Sequence, residues 1–281
     1  MKRHRVLFIN DMHVGSVWGL WPKDYKSDHG QVVEPSEQQR LLLSHWNDFQ
    51  KKVAKRKIDT IILNGDNVDG PGYKSRGREQ MTTVMRDQVF ASGSLLHSLF
   101  KAVNPGEGFA LSGSDYHSNG QQDSERDLAS DLDIDYCGLG PHDFMFGDIA
   151  VNVAHGSGGS YWYRGTKLDK LGFAMLLNIA SEGLYNAEHL VRGHFHFEAH
   201  LHYRHQDMYV GPCWQCQTAY MKKKDALKMI PNIGALELTI EGDEVTPKFY
   251  RYPHPPQPKI EVMGVSVNRE ELRKKRRLER W

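Results

Sequence analysis

Short apolar runs that end in polar residues alternate with longer amphipathic stretches along the chain. Val6-Leu7-Phe8-Ile9-Asn10 has the pattern of a strand buried on both faces whose carboxyl end opens onto a loop. After a long loop over 14–34, Pro35-Ser36-Glu37 opens a helix in which Leu41, Leu42, Trp46, Phe49 and Val53 recur at helical spacing, ending near Lys57. The same alternation predicts a buried strand at 58–64, a helix at 79–103 closed by Asn104-Pro105-Gly106, and a third strand at 109–111. Beyond Asp143, strands are expected as neighbouring pairs: 144–147 with 149–154, 188–193 with 199–203, and 234–240 with 245–251. A helix at 168–182 interrupts them, and a further strand is expected around 208–220. A β-α-β-α-β first half followed by mostly antiparallel strands predicts two packed sheets flanked by helices.

Chemistry gathers at the strand ends. Asp11-Met12-His13 follows the first strand, Asn64-Gly65-Asp66-Asn67-Val68-Asp69 the second, and Ser112-Gly113-Ser114-Asp115-Tyr116-His117 the third. His155-Gly156 follows the strand at 149–154, and Gly193-His194-Phe195-His196 the one at 188–193. Asp and Gly favour turns for backbone reasons, so one such block means little. Five at successive strand ends point to a site, because α/β sites assemble where strand carboxyl ends open onto loops. Asp and His with almost no sulfur form a mixed donor set suited to Mn, Fe, Zn or Ni, unlike the thiolate cage of a structural zinc. In Asp11-x-His13 and His194-x-His196 the spacing of two puts both side chains on one face of an extended backbone. The donors outnumber the needs of one ion. Two ions about 3.5–4 Å apart need a bridging carboxylate, and they can stabilise both attacking and leaving oxygens of a displacement at phosphorus.

In this order, Asp11-x-His13, Gly65-Asp66-x-x-Asp69, a Gly113-centred block, His155-Gly156 and Gly193-His194-x-His196 resemble the calcineurin-like metallophosphoesterase superfamily, over residues 6 to about 203. The resemblance implies a four-layer α/β/β/α sandwich of two mixed β-sheets flanked by helices. It also implies a dinuclear centre of divalent ions, with Mn favoured. By family roles, Asp11, His13 and His196 hold the first metal, Asp66 bridges, His155 and His194 hold the second, and Asp69 orients a ligand from behind. The third block departs from the family's usual Gly-Asn-His-Asp/Glu: Ser114 stands at the Asn position, and the histidine is His117. This Gly-Ser-x-x-His version is similar to variants in phage and archaeal members. It makes His117 the acid that protonates the leaving group, with capping of the turn before Asn119-Gly120 as the structural alternative. Either Ser114 or Asp115 closes the second metal site. Charge favours Ser114, because a further carboxylate would neutralise a centre that must attract phosphate, while ligand strength favours Asp115.

The implied activity is phosphoester hydrolysis by a water activated between the metals. A phosphodiesterase acting on nucleotides or nucleic acid is favoured: Trp18, Trp21 and Tyr161-Trp162-Tyr163-Arg164 offer aromatic faces and a guanidinium to bases and phosphates. Trp162 and Arg164 are the candidate substrate contacts, with ordinary loop packing as the alternative. A phosphomonoesterase or nucleotide phosphatase, and a catalytically inactive scaffold, are the competing functions. Cys213-Trp214-Gln215-Cys216 lacks the second Cys pair of a zinc ribbon and reads as core, and His200, His202 and His205 read as solvated strand positions. No phosphate-binding Walker loop, dinucleotide fingerprint or Gly-x-Ser-x-Gly elbow occurs.

Composition changes this picture at one end. The 281 residues carry 36 Lys and Arg against 35 Asp and Glu, yet 268–281 alone holds seven bases and three acids, leaving 29 against 32 in the rest. The expected organisation is therefore a catalytic domain at 1–253 and a Pro-rich segment with a basic tail at 254–281. The tail reads either as a nucleic-acid contact or as a solvated helix packing Leu272 and Leu278. No run approaches the roughly 20 apolar residues of a membrane span, three cysteines make no disulfide framework, and no Asn-x-Ser/Thr occurs. These features predict an intracellular, cytoplasmic protein without membrane partners, and they leave the oligomeric state open.

Overall fold

The computed structural model describes residues 3–73, 75–117, 123–158, 164–182, 187–203, 206–225 and 230–256. In chain order its elements are β1 (His4–Ile9), α1 (Glu37–Val53), β2 (Thr60–Asn64), α2 (Met85–Val103), β3 (Glu107–Leu111), a 3-10 turn (Asp115–His117), α3 (Ser124–Leu132), β4 (Asp135–Gly138), β5 (His142–Phe146), β6 (Ile149–Ala154), α4 (Thr166–Glu182), β7 (His189–Arg192), β8 (Ala199–Tyr203), β9 (Gln206–Val210), α5 (Ala219–Asp225), β10 (Ile233–Glu241) and β11 (Glu244–Tyr252). One sheet has the order β11-β10-β1-β2-β3-β4, with β1 to β4 parallel and the β10-β11 hairpin antiparallel beside β1. The other has the order β5-β6-β7-β9-β8, with β6, β7 and β9 parallel and both edge strands antiparallel.

Alternation along the strands builds the layers. Leu7, Ile9, Ile61 and Leu63 turn outward and bury Leu42, Trp46, Phe49, Leu96 and Leu128 of α1, α2 and α3. Val6, Phe8 and Ile62 turn inward and meet Val151, Val153, Val191 and Tyr209 of the second sheet. Leu190, Met208 and Val210 face outward from that sheet and cover Leu168 of α4. The result is the expected helix, sheet, sheet, helix sandwich, with β1 buried on both sides as its continuous apolar run requires.

Several local expectations are corrected. The second helix begins at Met85, not 79: Thr82-Thr83-Val84 is β-branched, and the segment before it is held as a loop, with Met81 N–H donating to Gly15 O at 2.6 Å. The first helix ends at Val53, and Leu41 lies on its exposed face. The segments at 189–192 and 199–203 are not partners, because β9 pairs with both and separates them. The strand expected around 208–220 is Gln206–Val210, after which the chain leaves the sheet and passes beneath the site. Residues 254–256 of the Pro-rich segment lie on the body, where Gln38 Nε2 donates to Pro256 O at 2.7 Å. The basic tail falls outside the described residues. Among the described residues, no helix is long and apolar enough to cross a membrane.

One buried charge anchors the first sheet to the turn that follows α1. Glu237 on β10 is fully buried; it accepts from Arg56 Nη2 at 2.5 Å and from Tyr250 Oη at 2.5 Å. Burial lifts its carboxyl, but the Arg56 and Tyr250 bonds win and hold it below its ordinary range. A carboxyl lowered on folding stabilises fully above its unfolded pKa of about 4.3 and loses that contribution as pH falls through the lower folded value. Arg56 keeps a third of its side chain in water, so Glu237→Gln should cost about 2 kcal/mol at pH 7, below the range for a wholly buried pair. Urea unfolding should show that difference shrinking below pH 4; a difference constant with pH would assign it to packing.

Candidate metal centre

The five polar blocks meet at one end of the sandwich, where β1, β2 and β3 of one sheet and β6 and β7 of the other deliver them. Their backbones are unusual. Asp11 (φ 50°), His13 (φ 46°), Asp66 (φ 52°), His194 (φ 69°) and His196 (φ 57°) all occupy the left-handed region. Each costs about 1–2 kcal/mol in a residue with a Cβ, and such strain persists only where the surroundings impose it. Here the loops after β1 and β2 are laced together: Asp11 N–H donates to Gly65 O (3.1 Å), His13 N–H to Asp66 O (3.0 Å) and Val14 N–H to Asn67 O (2.9 Å). Gly113 is required beside them, since a Cβ there would lie 2.0 Å from Asp66 Oδ1.

Hydrogen bonds made by the outer ring nitrogens decide which nitrogen faces inward. His13 Nδ1 donates to Asp69 Oδ1 at 2.8 Å, His155 Nδ1 to Asn64 O at 2.7 Å, and His117 Nδ1 to Asp69 O. In all three the Nε2 lone pair is left pointing into the centre. His194 is reversed: its Nε2 donates to Gly158 O at 2.9 Å, so Nδ1 is its ligand atom. Ligand atoms of Asp11, His13 and His196 lie within 4.8 Å of one another, as do those of Asp66, His155 and His194, and a third such set is His13, Asp66 and His117. The donor set fits two divalent cations. His13 Nε2 stands 3.0 Å from His196 Nε2. His155 Nε2 stands 2.9 Å from Asp66 Oδ2 but without the alignment of a hydrogen bond, and 3.8 Å from Asp11 Oδ1. Lone pairs held that close need a cation or a proton between them.

In the metal-free chain protons take that role. Burial pulls His13 down, but hydrogen bonds to Asp11 and Asp69 win and push it up to about 10. His155 is likewise pushed up to about 9 against burial by the charges of Asp66 and Asp11. Burial alone would raise Asp11 and Asp66, yet His196 and His155 hold Asp11 well below the carboxylate range, and His155 and His117 do the same for Asp66. His194 and His196 are lowered by burial, with neighbouring imidazoles adding to it. Metal binding therefore competes with protons at His13 and His155.

The structure brings together Asp11, His13, Asp66, Asp69, Ser114, His117, His155, His194 and His196. Ser114 Oγ donates to Asp66 Oδ2 at 3.0 Å and its N–H to Oδ1 at 2.8 Å, while Asp115 is exposed. Arg164 is turned to other work: it donates to Asn232 Oδ1 (2.6 Å) and Ile230 O (3.0 Å) and lies over the Phe197 ring. Trp21 is fully buried and donates to Val33 O, so it is core and not a stacking face. Tyr161, Trp162 and Tyr163 fall outside the described residues, as does His205. His200 and His202 are exposed strand positions as expected, and both bond Asp207 Oδ1, at 2.7 and 3.0 Å. Cys213 and Cys216 are buried as expected, and burial pushes both thiols up, Cys216 to about 12. Two contributors carry no sequence signal. Gln80 Nε2 donates to Asp69 Oδ2 at 2.7 Å, and Glu125, on α3, accepts from the backbone just after Asp66.

No family model matches the chain. No curated protein matches it either. Solved structures to which it is similar include a predicted phosphoesterase from Streptococcus pneumoniae TIGR4, at 12% identity over 89% of this chain and 91% of that one, with a TM-score of 0.40. Vps29 from Entamoeba histolytica complexed with zinc is similar at 11% identity over 88% and 98%, TM-score 0.42. Nuclease MPE from Pseudomonas putida is similar at 11% identity over 83% of each chain, TM-score 0.35.

Proposed function

We propose that this chain is a hydrolase of phosphoesters that uses two divalent metal ions, with phosphodiesters of nucleotides or nucleic acid as substrates. The observation that carries the proposal is the two three-ligand sets Asp11, His13, His196 and Asp66, His155, His194, joined through the set His13, Asp66, His117, with the ring nitrogens of His13, His155 and His194 aimed inward by outer acceptors. Metals held there would acidify a water and neutralise charge building on the phosphoryl oxygens. Asp66 would bridge, Ser114 would hold the Asp66 carboxylate or ligate beside it, and His117 would pass a proton to the departing oxygen from Nε2.

A basic rim favours diesters in a polymer over a small monoester. Ser16 N–H donates to His13 O (3.1 Å) and Cys216 N–H to Trp18 O (2.7 Å), which brings α5 beside the metal loops. Lys222 Nζ lies 4.3 Å from the Trp18 ring centroid, and Lys223 and Lys224 continue the turn exposed to solvent. Those cations suit phosphates flanking the one in the centre.

Hydrolysis of bis-p-nitrophenyl phosphate should exceed that of p-nitrophenyl phosphate, should stop with EDTA and should return with Mn²⁺. Preference for the monoester would overturn the diester assignment, and no turnover with any metal would favour a scaffold. Lys223→Ala with Lys224→Ala should leave bis-p-nitrophenyl phosphate turnover unchanged. On a single-stranded oligonucleotide the same variant should flatten the salt dependence of kcat/KM by roughly 0.7 log units per log unit of salt for each lysine. An unchanged slope would remove α5 from the substrate path.

A further inference from the structure

We propose that Glu125 is a positioning residue that holds the bridging carboxylate Asp66 in place through the backbone of the loop that follows it. The inference rests on the hydrolase reading above and deepens it.

Glu125 lies in the first turn of α3, 3% exposed, and both its oxygens accept. Oε1 accepts from Asn67 N–H at 2.6 Å and Val68 N–H at 3.4 Å; Oε2 accepts from Asn67 Nδ2 at 2.9 Å. The peptide joining Asp66 to Asn67 is therefore gripped at both ends. His13 N–H holds its carbonyl at 3.0 Å, and Glu125 holds its N–H. Asp66 leads into that gripped peptide in the left-handed region at φ 52°, with its carboxylate directed at His155 and Ser114. A residue with a Cβ relaxes out of that region unless its neighbours over-determine it. Without Glu125 the Asn67 N–H loses its acceptor, and the turn that aims the carboxylate loses one of its two clamps.

The placement also has a cost that packing alone does not explain. Each hydrogen bond to the carboxylate comes from an uncharged N–H, and the charges of Asp66 and Asp123 both act against its ionised form. Burial pushes the Glu125 carboxyl up to about 7 against the pull of the Asn67 bonds. A group kept where its charge is unfavourable, beside a reactive centre, serves geometry at the expense of stability. Glutamine would keep the clamp, because its amide oxygen has two lone pairs for the backbone N–H groups and its NH2 can donate to Asn67 Oδ1, which has no partner, once that amide turns over; alanine removes the acceptor outright.

The test uses the full chain with Mn²⁺ as the probe. Glu125→Ala should raise the Mn²⁺ concentration for half-maximal bis-p-nitrophenyl phosphate hydrolysis by roughly ten- to a hundredfold, as expected for loss of support behind a ligand. The KM at saturating Mn²⁺ should stay within twofold, and Glu125→Asp should recover part of the loss. A merely structural role would lower the melting temperature of the EDTA-treated protein without moving the Mn²⁺ requirement. Asn67→Ala, which removes only the Nδ2 contact, should shift the requirement several-fold in the same direction, and it decides the matter if Glu125→Ala does not fold. An unchanged Mn²⁺ requirement in the variants, beside a wild type that binds Mn²⁺ and hydrolyses, overturns this inference alone. A wild type that binds no Mn²⁺ sinks the hydrolase reading and the inference with it.

Discussion

Asp66→Asn should abolish most of the hydrolytic activity while leaving the fold intact. Asparagine has the same shape, tolerates the left-handed backbone of position 66 (φ 52°) and still fits against Gly113. What it removes is charge. Asp66 is the one carboxylate that stands in two of the three ligand sets, with His155 and His194 and with His13 and His117. Losing it should cost several kcal/mol of transition-state charge stabilisation, taken here as about 4 kcal/mol, or on the order of 10³ in kcat. Isothermal titration with Mn²⁺ should show fewer than two ions bound at concentrations that saturate the wild type, while far-UV circular dichroism stays unchanged. An asparagine variant that binds two ions and turns over at the wild-type rate would remove Asp66 from the bridging position.

His117→Ala should separate substrates by their leaving groups. General acid catalysis contributes about 10²–10⁴ when the departing oxygen needs a proton, and little when it leaves as a stable phenolate. With Nδ1 tied to Asp69 O, His117 presents Nε2 3.8 Å from Asp66 Oδ2, at the edge of the centre. The alanine variant should therefore lose at least a hundredfold on a dinucleotide, whose leaving group is an alkoxide, and less than tenfold on bis-p-nitrophenyl phosphate. Equal losses on both would mean that His117 acts through the metals, as its grouping with His13 and Asp66 also permits. No loss on either would leave it the capping role.

Much of the architecture was legible because strands and ligands obey the same local rules. A strand buried on both faces must be apolar along its length, and polar residues that end such a run need partners of their own, so Val6 to Ile9 ending at Asn10 and Asp11, themselves buried, announced both an element and a site. The order of the blocks, read with their resemblance to a known superfamily, specified the two-sheet sandwich and the nine residues that meet at its end. Strand partnership was not legible in the same way. Nothing local distinguishes a hairpin of 188–193 with 199–203 from the observed arrangement, because β9 enters between them by contacts made across the sheet.

Local sequence is enough to say which donors this protein has and at which strand ends they stand, because side-chain chemistry and strand polarity are properties of short segments. How the donors are aimed follows from packing. The left-handed backbones of Asp11, His13, Asp66, His194 and His196 are imposed by hydrogen bonds between loops distant in the chain. The inward nitrogen of each imidazole is chosen by acceptors such as Asn64 O and Asp69 Oδ1. Glu125 reaches Asn67 across 58 positions, a contact that exists because α3, packed on α2, β3 and β4, lies beside the loop that follows β2. Trp21, read as a surface for bases, was claimed by the core. Each of these outcomes depends on which segments become neighbours, and that is a property of the packed chain as a whole.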